Sequence, residues 1–234
     1  KSWQFTTEEG GFVPKDEIER AKATMDENTY KTEFLADFVS TGSRAAYNFD
    51  RKIHVKQAEE LTANLFWGMD FNVDFMTAVL GCEYSDGTIH YFDEIRQSNS
   101  NTEQLAQAMK KIAPNINTYP DSSGKNRSTT SNKSDHQILI NNGFNVISKK
   151  ANPPIIDRIN ALNRMLQDAN GKIRMTVDPK CTYLIKDLEQ VQRSRDGKID
   201  KTKDITLTHA FDACSYYIAM KHPVVRRLVT SSQW

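Results

Sequence analysis

The spacing of apolar residues changes at about residue 60 of the chain. Before that point, the segments 13–26 and 28–39 carry apolar residues at helical intervals. Pro14 suits the first turn of the earlier segment, and Asn28 suits the N-cap position of the later one. The first 60 residues are therefore predicted to be helical.

Beyond residue 60 the apolar runs become short and partly alternating, which is typical of strands. Three such runs follow one another at 65–72, 76–84 and 88–95. A turn signal, Ser85–Gly87, separates the last two runs. We therefore expect three adjacent strands, the last two of them joined as a hairpin.

The rest of the chain alternates between helical and strand patterns. Helices are predicted at 101–113, 153–169, 179–191 and 207–220, strands at 116–121 and 172–177, and a helix followed by a strand within 136–147. The polar stretch 122–134 predicts a mobile loop, and the charged stretch 192–201 predicts a hairpin with Asp196-Gly197 at its centre. Grouped strands followed by alternating strands and helices indicate an α/β domain, with one mixed sheet covered by helices on both faces.

Composition is that of an ordinary globular protein. The chain has 234 residues, 38% of them hydrophobic, and no apolar run approaches the roughly 18 residues that a membrane span needs. Its first residues show neither a signal peptide nor an initiating Met, so we expect a fragment of a longer protein. The three cysteines are far apart and form no C-x-x-C pair, which favours reduced thiols in a cytosolic setting and argues against a zinc site.

The charge is unevenly distributed along the chain. Residues 1–60 carry 9 Lys/Arg against 12 Asp/Glu, whereas the remainder carries 22 against 18, and the net charge is +1. The basic excess after residue 60 would suit a polyanionic partner without demonstrating one.

Three aspartates lie where an ionised carboxylate needs a partner. Asp70 ends the first apolar strand, Asp121 comes directly after INTYP in the segment YPDSSG, and Asp212 lies on an apolar helix. Functional groups collect at the carboxyl ends of strands, and a buried carboxylate must be neutralised, paired or bound to a cation. Taken singly, each has an ordinary alternative, since Asp70 and Asp121 could form turns and Asp212 could pair with a Lys or Arg. Together, with no Cys or His cluster, they favour Mg²⁺ or Mn²⁺.

The same segments carry a family resemblance. WGMDFN, YPDSSG and LTHAFDACSYY resemble the acidic motifs of the C-terminal nuclease domain of the large terminase subunit, the DNA-packaging motor of tailed bacteriophages. The stretch 10–39 is similar to the segment that joins the ATPase and nuclease domains in that family. The resemblance implies a ribonuclease H-like domain at 61–222, preceded by a helical connector at 1–60 and followed by a C-terminal tail at 223–234.

The resemblance also implies an activity and a set of site residues. It implies a two-metal endonuclease that cuts concatemeric double-stranded phage DNA when packaging starts and when it ends, using two Mg²⁺ or Mn²⁺ ions. Asp70 matches the acid that bridges both metals, Asp121 the second acid, and Asp212 the acid of the late helix.

Three further residues are candidates for the same site. His209 lies three residues before Asp212, so both project from one helical face, and some family members have a histidine at this place. A structural hydrogen bond is the alternative for His209. Glu94, expected to end a strand beside the first, is either a further ligand or an edge-strand acid in solvent, and Asp74 in the loop after Asp70 is a weaker candidate for a second metal.

Basic residues near the acids are candidates for phosphate contacts. They are Lys125 and Arg127 after Asp121, and Arg193, Arg195, Lys198, Lys201 and Lys203 around the charged hairpin. Charge for solubility alone is the alternative, and nothing in the sequence resembles a base-reading motif.

The sequence also limits the activity of this chain. It contains no G-x-x-x-x-G-K-[ST] phosphate-binding loop, so we expect no ATP hydrolysis. The resemblance implies four partners: double-stranded DNA, the ATPase domain of the same full-length protein, the portal protein and the small terminase subunit. It also implies a location in the host cytoplasm, at the procapsid portal, with no membrane contact. Two alternatives stay open: another ribonuclease H-like nuclease such as a resolvase or integrase, and a non-catalytic DNA-clamping or docking module.

Overall fold

A computed structural model describes residues 5–37, 44–72, 74–126, 133–194, 197–200, 204 and 206–224. The strands are β1 Leu65–Asp70, β2 Phe75–Glu83, β3 Ile89–Ser98, β4 Asn117–Pro120, β5 Asn145–Val146 and β6 Met175–Val177. The helices are α1 Thr7–Gly10, α2 Lys15–Thr24, α3 Glu27–Phe34, α4 Arg51–His54, α5 Thr102–Ile112, α6 Asp135–Asn141, α7 Ile155–Leu166, α8 Thr182–Gln190 and α9 His209–Lys221.

The strands form one mixed sheet in the order β5-β4-β1-β2-β3-β6. β2 is antiparallel to both β1 and β3, whereas β4 is parallel to β1, β5 to β4, and β6 to β3. The three consecutive strands and the mixed sheet predicted from the sequence are confirmed. Because β1 and β4 are parallel neighbours, their carboxyl ends lie side by side.

Helices cover both faces of this sheet, as expected. The larger core contains residues of α7, α8 and α9, and the smaller one contains residues of α5 and α6. Along β1, Phe66 belongs to the first core, and Trp67 and Met69 to the second. Since side chains alternate along a strand, Gly68 and Asp70 share the face of Phe66, towards α9.

Gly68 allows α9 to lie unusually close to β1. A Cβ atom at Gly68 would lie 2.2 Å from the backbone oxygen of Ala213. Only glycine therefore fits in the WGMD segment at the point where the helix crosses the strand. The first turn of α9 begins four residues before Ala213, so this approach brings that turn to the end of β1.

The N-terminal helices have a small core of their own. Ile18, Ala21 and Tyr30 are buried there together, and Ala169 packs against them. Asp26, not Asn28 as predicted, is the N-cap of α3, because its side chain accepts a hydrogen bond from the backbone N–H of Thr29.

Other boundaries differ from the sequence prediction. α7 ends at Leu166 instead of continuing to the Asn170-Gly171 turn, since the backbone is already extended at Gln167. Residues 122–125, predicted as part of a mobile loop, form a 3₁₀ turn in which the side chain of Asp121 accepts from the backbone N–H of Ser123. The turn at Ser85–Gly87 is confirmed, with Gly87 at a φ of 80°.

Two further features concern the cysteines and the length of the apolar helices. All three cysteines are free and buried. Among the described residues, no helix has the length and apolar character required to traverse a lipid bilayer.

Candidate metal-binding active site

Asp70 and Asp121 lie side by side at the ends of two neighbouring strands. Asp70 is the last residue of β1, and Asp121 directly follows β4. The backbone N–H of Asp121 donates to the carbonyl oxygen of Met69 across 3.0 Å, which continues the parallel pairing to the strand ends. The strand-end positions predicted for both aspartates are therefore confirmed.

α9 brings a second set of polar groups to this point. His209 and Asp212 lie one turn apart in its first part, and both are buried. Nδ1 of His209 lies 3.1 Å from Oδ2 of Asp70. An ionised carboxylate can only accept, so with Asp70 ionised the Nδ1 atom of His209 is the donor. His209 therefore lies in the site, in contact with Asp70.

Asp212 is bound by an arginine from another helix. Nη1 of Arg158, on α7, lies 2.7 Å from Oδ1 of Asp212 and 2.7 Å from Oγ of Ser215. Both charged side chains are almost fully buried, with 7% and 3% of their surface exposed. Burial disfavours the charged guanidinium, but the carboxylates of Asp212 and Asp70 outweigh it and raise the pKa of Arg158.

Asp121 is held by three donors from different segments. Its Oδ1 accepts from Nδ2 of Asn152 at 2.7 Å and from the backbone N–H of Ser123 at 2.6 Å, and its Oδ2 accepts from the hydroxyl of Tyr216 at 2.8 Å. Burial acts to raise the pKa of Asp121, but these hydrogen bonds outweigh it, so the pKa is lowered. Asp121 is consequently kept ionised.

The turn after Asp121 is fixed by aromatic packing. A Cβ atom at Gly124 would lie 2.2 Å from the ring of Phe71 and 2.9 Å from that of His136. Nε2 of His136 also lies 2.8 Å from the carbonyl oxygen of Asp121. Phe71, directly after Asp70, thus packs against the 3₁₀ turn that follows Asp121, and the two strand ends are held together.

Tyr216 links Asp121 to the pair formed by Arg158 and Asp212. The hydroxyl of Tyr216 binds Asp121. The guanidinium of Arg158 lies 4.6 Å from the centroid of the Tyr216 ring, and the same guanidinium binds Asp212. Burial is the main cause of the raised pKa of Tyr216, and the carboxylates of Asp212, Asp70 and Asp121 add to it. Asp70, Asp121 and Asp212 therefore all act electrostatically on Tyr216, and we call these three aspartates the acidic cluster.

The N-terminus of α9 is capped from α8. Thr208 has a φ of 83°, and its side chain caps no N–H group of the described chain, so the first turn of α9 lacks a local cap. Oδ2 of Asp187 instead accepts from the backbone N–H groups of Ala210 and Phe211, at 2.9 and 3.1 Å. Because His209 begins the same turn, Asp187 fixes the helix end from which His209 reaches Asp70.

The two weaker acid candidates lie apart from these contacts. Glu94 is within β3, which pairs with β2 and not with β1, and β3 continues to Ser98 instead of ending there. Its carboxylate accepts from the backbone N–H groups of Tyr183 and Leu184, at the start of α8. Asp74 is exposed in the loop between β1 and β2, where its N–H binds the side chain of Asn72.

The basic candidates fall into three groups. Lys125 and Lys198 are exposed, and the ammonium of Lys125 donates to the carbonyl oxygen of Lys149. Arg193 is half-buried, with its guanidinium 5.2 Å from the centroid of the Tyr47 ring, and it pairs with Ile199 as the predicted hairpin requires. The predictions for Arg127, Arg195, Lys201 and Lys203 lie outside the described residues.

Sequence reasoning missed Arg158 and Tyr216. Tyr216 lies four residues after Asp212, on the same face of α9, and this spacing could have indicated it. Arg158 lies on the apolar stripe of α7, four and seven residues before Leu162 and Met165, and an arginine in such a stripe was a usable signal. Asn152 precedes α7 in a polar turn, and we find no signal for it.

The acidic cluster is not arranged as a preformed ion site. Within the part of the chain that the structure describes, no three His, Cys, Asp or Glu side chains have the spacing of metal ligands. Carboxylate oxygens are nevertheless the ligands that Mg²⁺ and Mn²⁺ prefer, and the donors fit these ions in kind. Oδ1 of Asp212 is bound to Arg158.

Comparisons with known proteins agree with this geometry. The model of the family described as Terminase RNaseH-like domain matches residues 67–221. The large terminase of a thermophilic bacteriophage superposes with a TM-score of 0.69 and 15% identity, covering 93% of this chain and 55% of that one. The nuclease domain of the P22 large terminase superposes with a TM-score of 0.61 and 18% identity, covering 79% of this chain and 96% of that domain.

The comparisons also show how much of its relatives this chain covers. The chain spans about half the length of the large terminase from the thermophilic phage, which has also been solved in complex with ATP-gamma-S. No curated protein matches the sequence.

Proposed function

Because the chain belongs to the terminase RNaseH-like domain family, we propose that it is the nuclease domain of a phage large terminase. In this role it is a metal-dependent endonuclease that cleaves concatemeric double-stranded phage DNA at the start and at the end of genome packaging. The observation that supports the proposal is the placement of Asp70 and Asp121 at neighbouring strand ends, with Asp212 linked to Asp121 through Arg158 and Tyr216.

The acidic cluster would hold two divalent cations, Mg²⁺ or Mn²⁺. Such ions, when bound, supply a nucleophilic water at neutral pH and neutralise the charge on the leaving oxygen. Asp70 and Asp121 are suited to this task because their strands fix them side by side, and hydrogen bonds keep Asp121 ionised. Asp212 joins them once its contact with Arg158 is given up.

The neighbouring residues position the carboxylates. His209 orients Asp70 through the contact at 3.1 Å, while Asn152 and Tyr216 orient the two oxygens of Asp121. Partners of this kind fix the direction of a ligand's lone pairs and typically change metal affinity or activity by about 10- to 100-fold. Glu94 and Asp74 are left outside the proposed site, since the described contacts of Glu94 are with the start of α8.

The proposal includes the surroundings of the domain. Residues 61–222 would form the nuclease domain, residues 1–60 the connector to the ATPase domain of the full-length protein, and residues 223–234 a tail. Double-stranded DNA would be bound through its phosphates, with Lys125 and Lys198 as exposed candidates. The portal protein and small terminase subunit would be further partners, in the host cytoplasm at the procapsid portal.

Plasmid cleavage tests this proposal directly. The purified chain should nick and linearise supercoiled plasmid in the presence of Mn²⁺ or Mg²⁺, and EDTA should stop the reaction. Asp70→Asn and Asp212→Asn should each lower the rate by at least about 100-fold, as expected when an electrostatic group at the reacting centre is lost. Asp93→Asn is the matched control, because Asp93 pairs with Lys180 outside the acidic cluster.

The alternatives give different results in the same assay. A DNA clamp would bind plasmid without cleaving it, and Asp70→Asn would then change nothing. A resolvase-like enzyme would prefer branched DNA over the linear duplex of the same sequence. Either result would overturn the proposed packaging endonuclease.

A further inference from the structure

Arg158 is a cation built into the acidic cluster. Its guanidinium binds Oδ1 of Asp212 and Oγ of Ser215, both at 2.7 Å, and lies over the ring of Tyr216. The attraction of Asp70 also contributes to keeping it charged. Arg158 therefore already provides Asp212 with the positive charge that a divalent ion would otherwise supply.

The charge balance indicates how many ions the cluster accepts. With all three aspartates ionised, Arg158 leaves the cluster with two net negative charges, which one divalent ion balances. A second divalent ion would give an excess of positive charge in a buried place, and Asp212 would have to leave the guanidinium to coordinate it. We therefore expect the first ion to bind more tightly than the second.

Release of Asp212 also has a consequence for Arg158. The Nε atom of Arg158 is buried and has no hydrogen-bond partner among the described residues, so the guanidinium already has one unsatisfied donor. Losing Asp212 would leave a buried charge without its main partner, which is costly unless another acceptor arrives. Phosphate oxygens are well suited to this role, since a guanidinium binds them through several donors.

We propose that Arg158 holds Asp212 until DNA is present, and thereby makes binding of the second divalent cation depend on the DNA phosphate. This inference rests on the proposed function, because it assigns a regulation to that same site. Arg158 acts through Asp212 and is a positioning residue in this scheme. It restrains the nuclease by keeping its metal site incomplete while no DNA is bound.

Mn²⁺ binding without DNA tests the inference. Free Mn²⁺ can be followed by its electron paramagnetic resonance signal while the ion is titrated into the purified chain. The wild type should bind one Mn²⁺ and a second at least about tenfold more weakly, whereas Arg158→Gln should bind the second at least about tenfold more tightly than the wild type does. Arg158→Lys, which keeps the charge, should resemble the wild type.

A second arginine of the same helix provides the matched control. Arg164 also lies on α7, but it donates to the carbonyl oxygens of Thr24 and His222, away from the acidic cluster. Arg164→Gln removes the same charge and should leave both Mn²⁺ affinities unchanged. Adding a short duplex DNA should tighten the second site of the wild type and should have little effect in Arg158→Gln.

Each result has a defined meaning. Equal two-site isotherms in the wild type and in Arg158→Gln would overturn the inference and leave the proposed function intact. No Mn²⁺ binding in any variant would overturn the proposed metal site and the inference with it. Should Arg158→Gln unfold without metal, its urea midpoint should rise more on adding Mn²⁺ than that of the wild type, and an equal rise would again contradict the inference.

Discussion

The hydroxyl of Tyr216 donates a hydrogen bond to Oδ2 of Asp121 across 2.8 Å. It joins a residue of α9 to the strand end that carries the second acid of the cluster. It is also one of the hydrogen bonds that lower the pKa of Asp121 against the effect of burial. The two residues therefore link the position of the helix to the protonation state of the site.

Tyr216→Phe should shift the acid limb of the pH–rate profile for plasmid cleavage to higher pH. Without the hydroxyl, burial of Asp121 is less well compensated, so its pKa rises and more of it is protonated at a given pH. The measurement is the cleavage rate in Mn²⁺ across the acidic range. Tyr217→Phe is the control, because the hydroxyl of Tyr217 binds Glu83 instead, and its profile should match the wild type.

His209 should be replaceable by a residue that keeps its hydrogen bond. His209→Ala should lower the cleavage rate by about 10-fold or more, because Asp70 loses the partner that orients it. His209→Asn places an amide N–H near the position of Nδ1 and should recover much of the rate. If Asn is no better than Ala while both retain the wild-type Tm, the imidazole has a chemical role beyond orientation.

The pattern of the sequence predicted the three adjacent strands well because their buried residues form runs. β1 and β2 are buried over most of their length and β3 over its first three residues, and the turn between β2 and β3 is marked by Gly87. The end of α7 was missed because residues 167–170 look helical in pattern, whereas Gln167 is extended and residues 168–171 form a turn. The backbone N–H of Ala169 in that turn donates to the carbonyl oxygens of Lys22 and Met25, a tertiary contact that no local pattern reveals.

The sequence marks the acids of the proposed site but not the charge that balances them. Asp70 and Asp121 stand out because each lies at the end of a predicted strand, and Asp212 because it is an acid on an apolar helix. Arg158 binds Asp212 across 54 positions of the chain, and the pairing depends on how α7 and α9 pack. The likeness to a terminase nuclease indicated which acids to choose, and it gave no indication of the arginine.

Gly68→Ala should weaken both the fold and the site. The added methyl group would lie 2.2 Å from the backbone oxygen of Ala213, so α9 must move away from β1. We expect a loss of about 2 kcal/mol or more in the free energy of unfolding, as for other overpacked cores, and a lower cleavage rate because His209 and Asp212 move with the helix.

The control for this substitution is Gly10→Ala. The nearest atom to a Cβ at Gly10 is a ring carbon of Phe12 at 3.6 Å, an ordinary contact distance. Urea unfolding should therefore distinguish the two alanine variants clearly. Equal stability of Gly68→Ala and the wild type would show that α9 and β1 can separate without cost, contrary to the packing described above.

Asp187 should make stability depend on pH with an unusual sign for a carboxylate. It is buried beneath the first turn of α9, and burial raises its pKa from the ordinary value of 3.8 to about 6, although the N–H groups of Phe211 and Ala210 and the nearby His209 act to lower it. The folded protein thus holds this proton more tightly than the unfolded chain does. The resulting stabilisation is complete below pH 3.8 and is lost as the pH rises through about 6.

Asp187→Asn cannot ionise and should reveal this effect by comparison. Between about pH 4 and pH 7 the free energy of unfolding of the wild type should fall relative to that of the variant, by on the order of 3 kcal/mol. Urea unfolding of both proteins at the two pH values measures the difference. Asp204→Asn should show almost no change over this range, because hydrogen bonds from Thr206 lower the pKa of Asp204 below 3.8 and its stabilisation is lost only as the pH falls below that value. A difference between wild type and Asp187→Asn that does not vary with pH would mean that Asp187 stays ionised throughout, and that the N-terminus of α9 compensates fully for its burial.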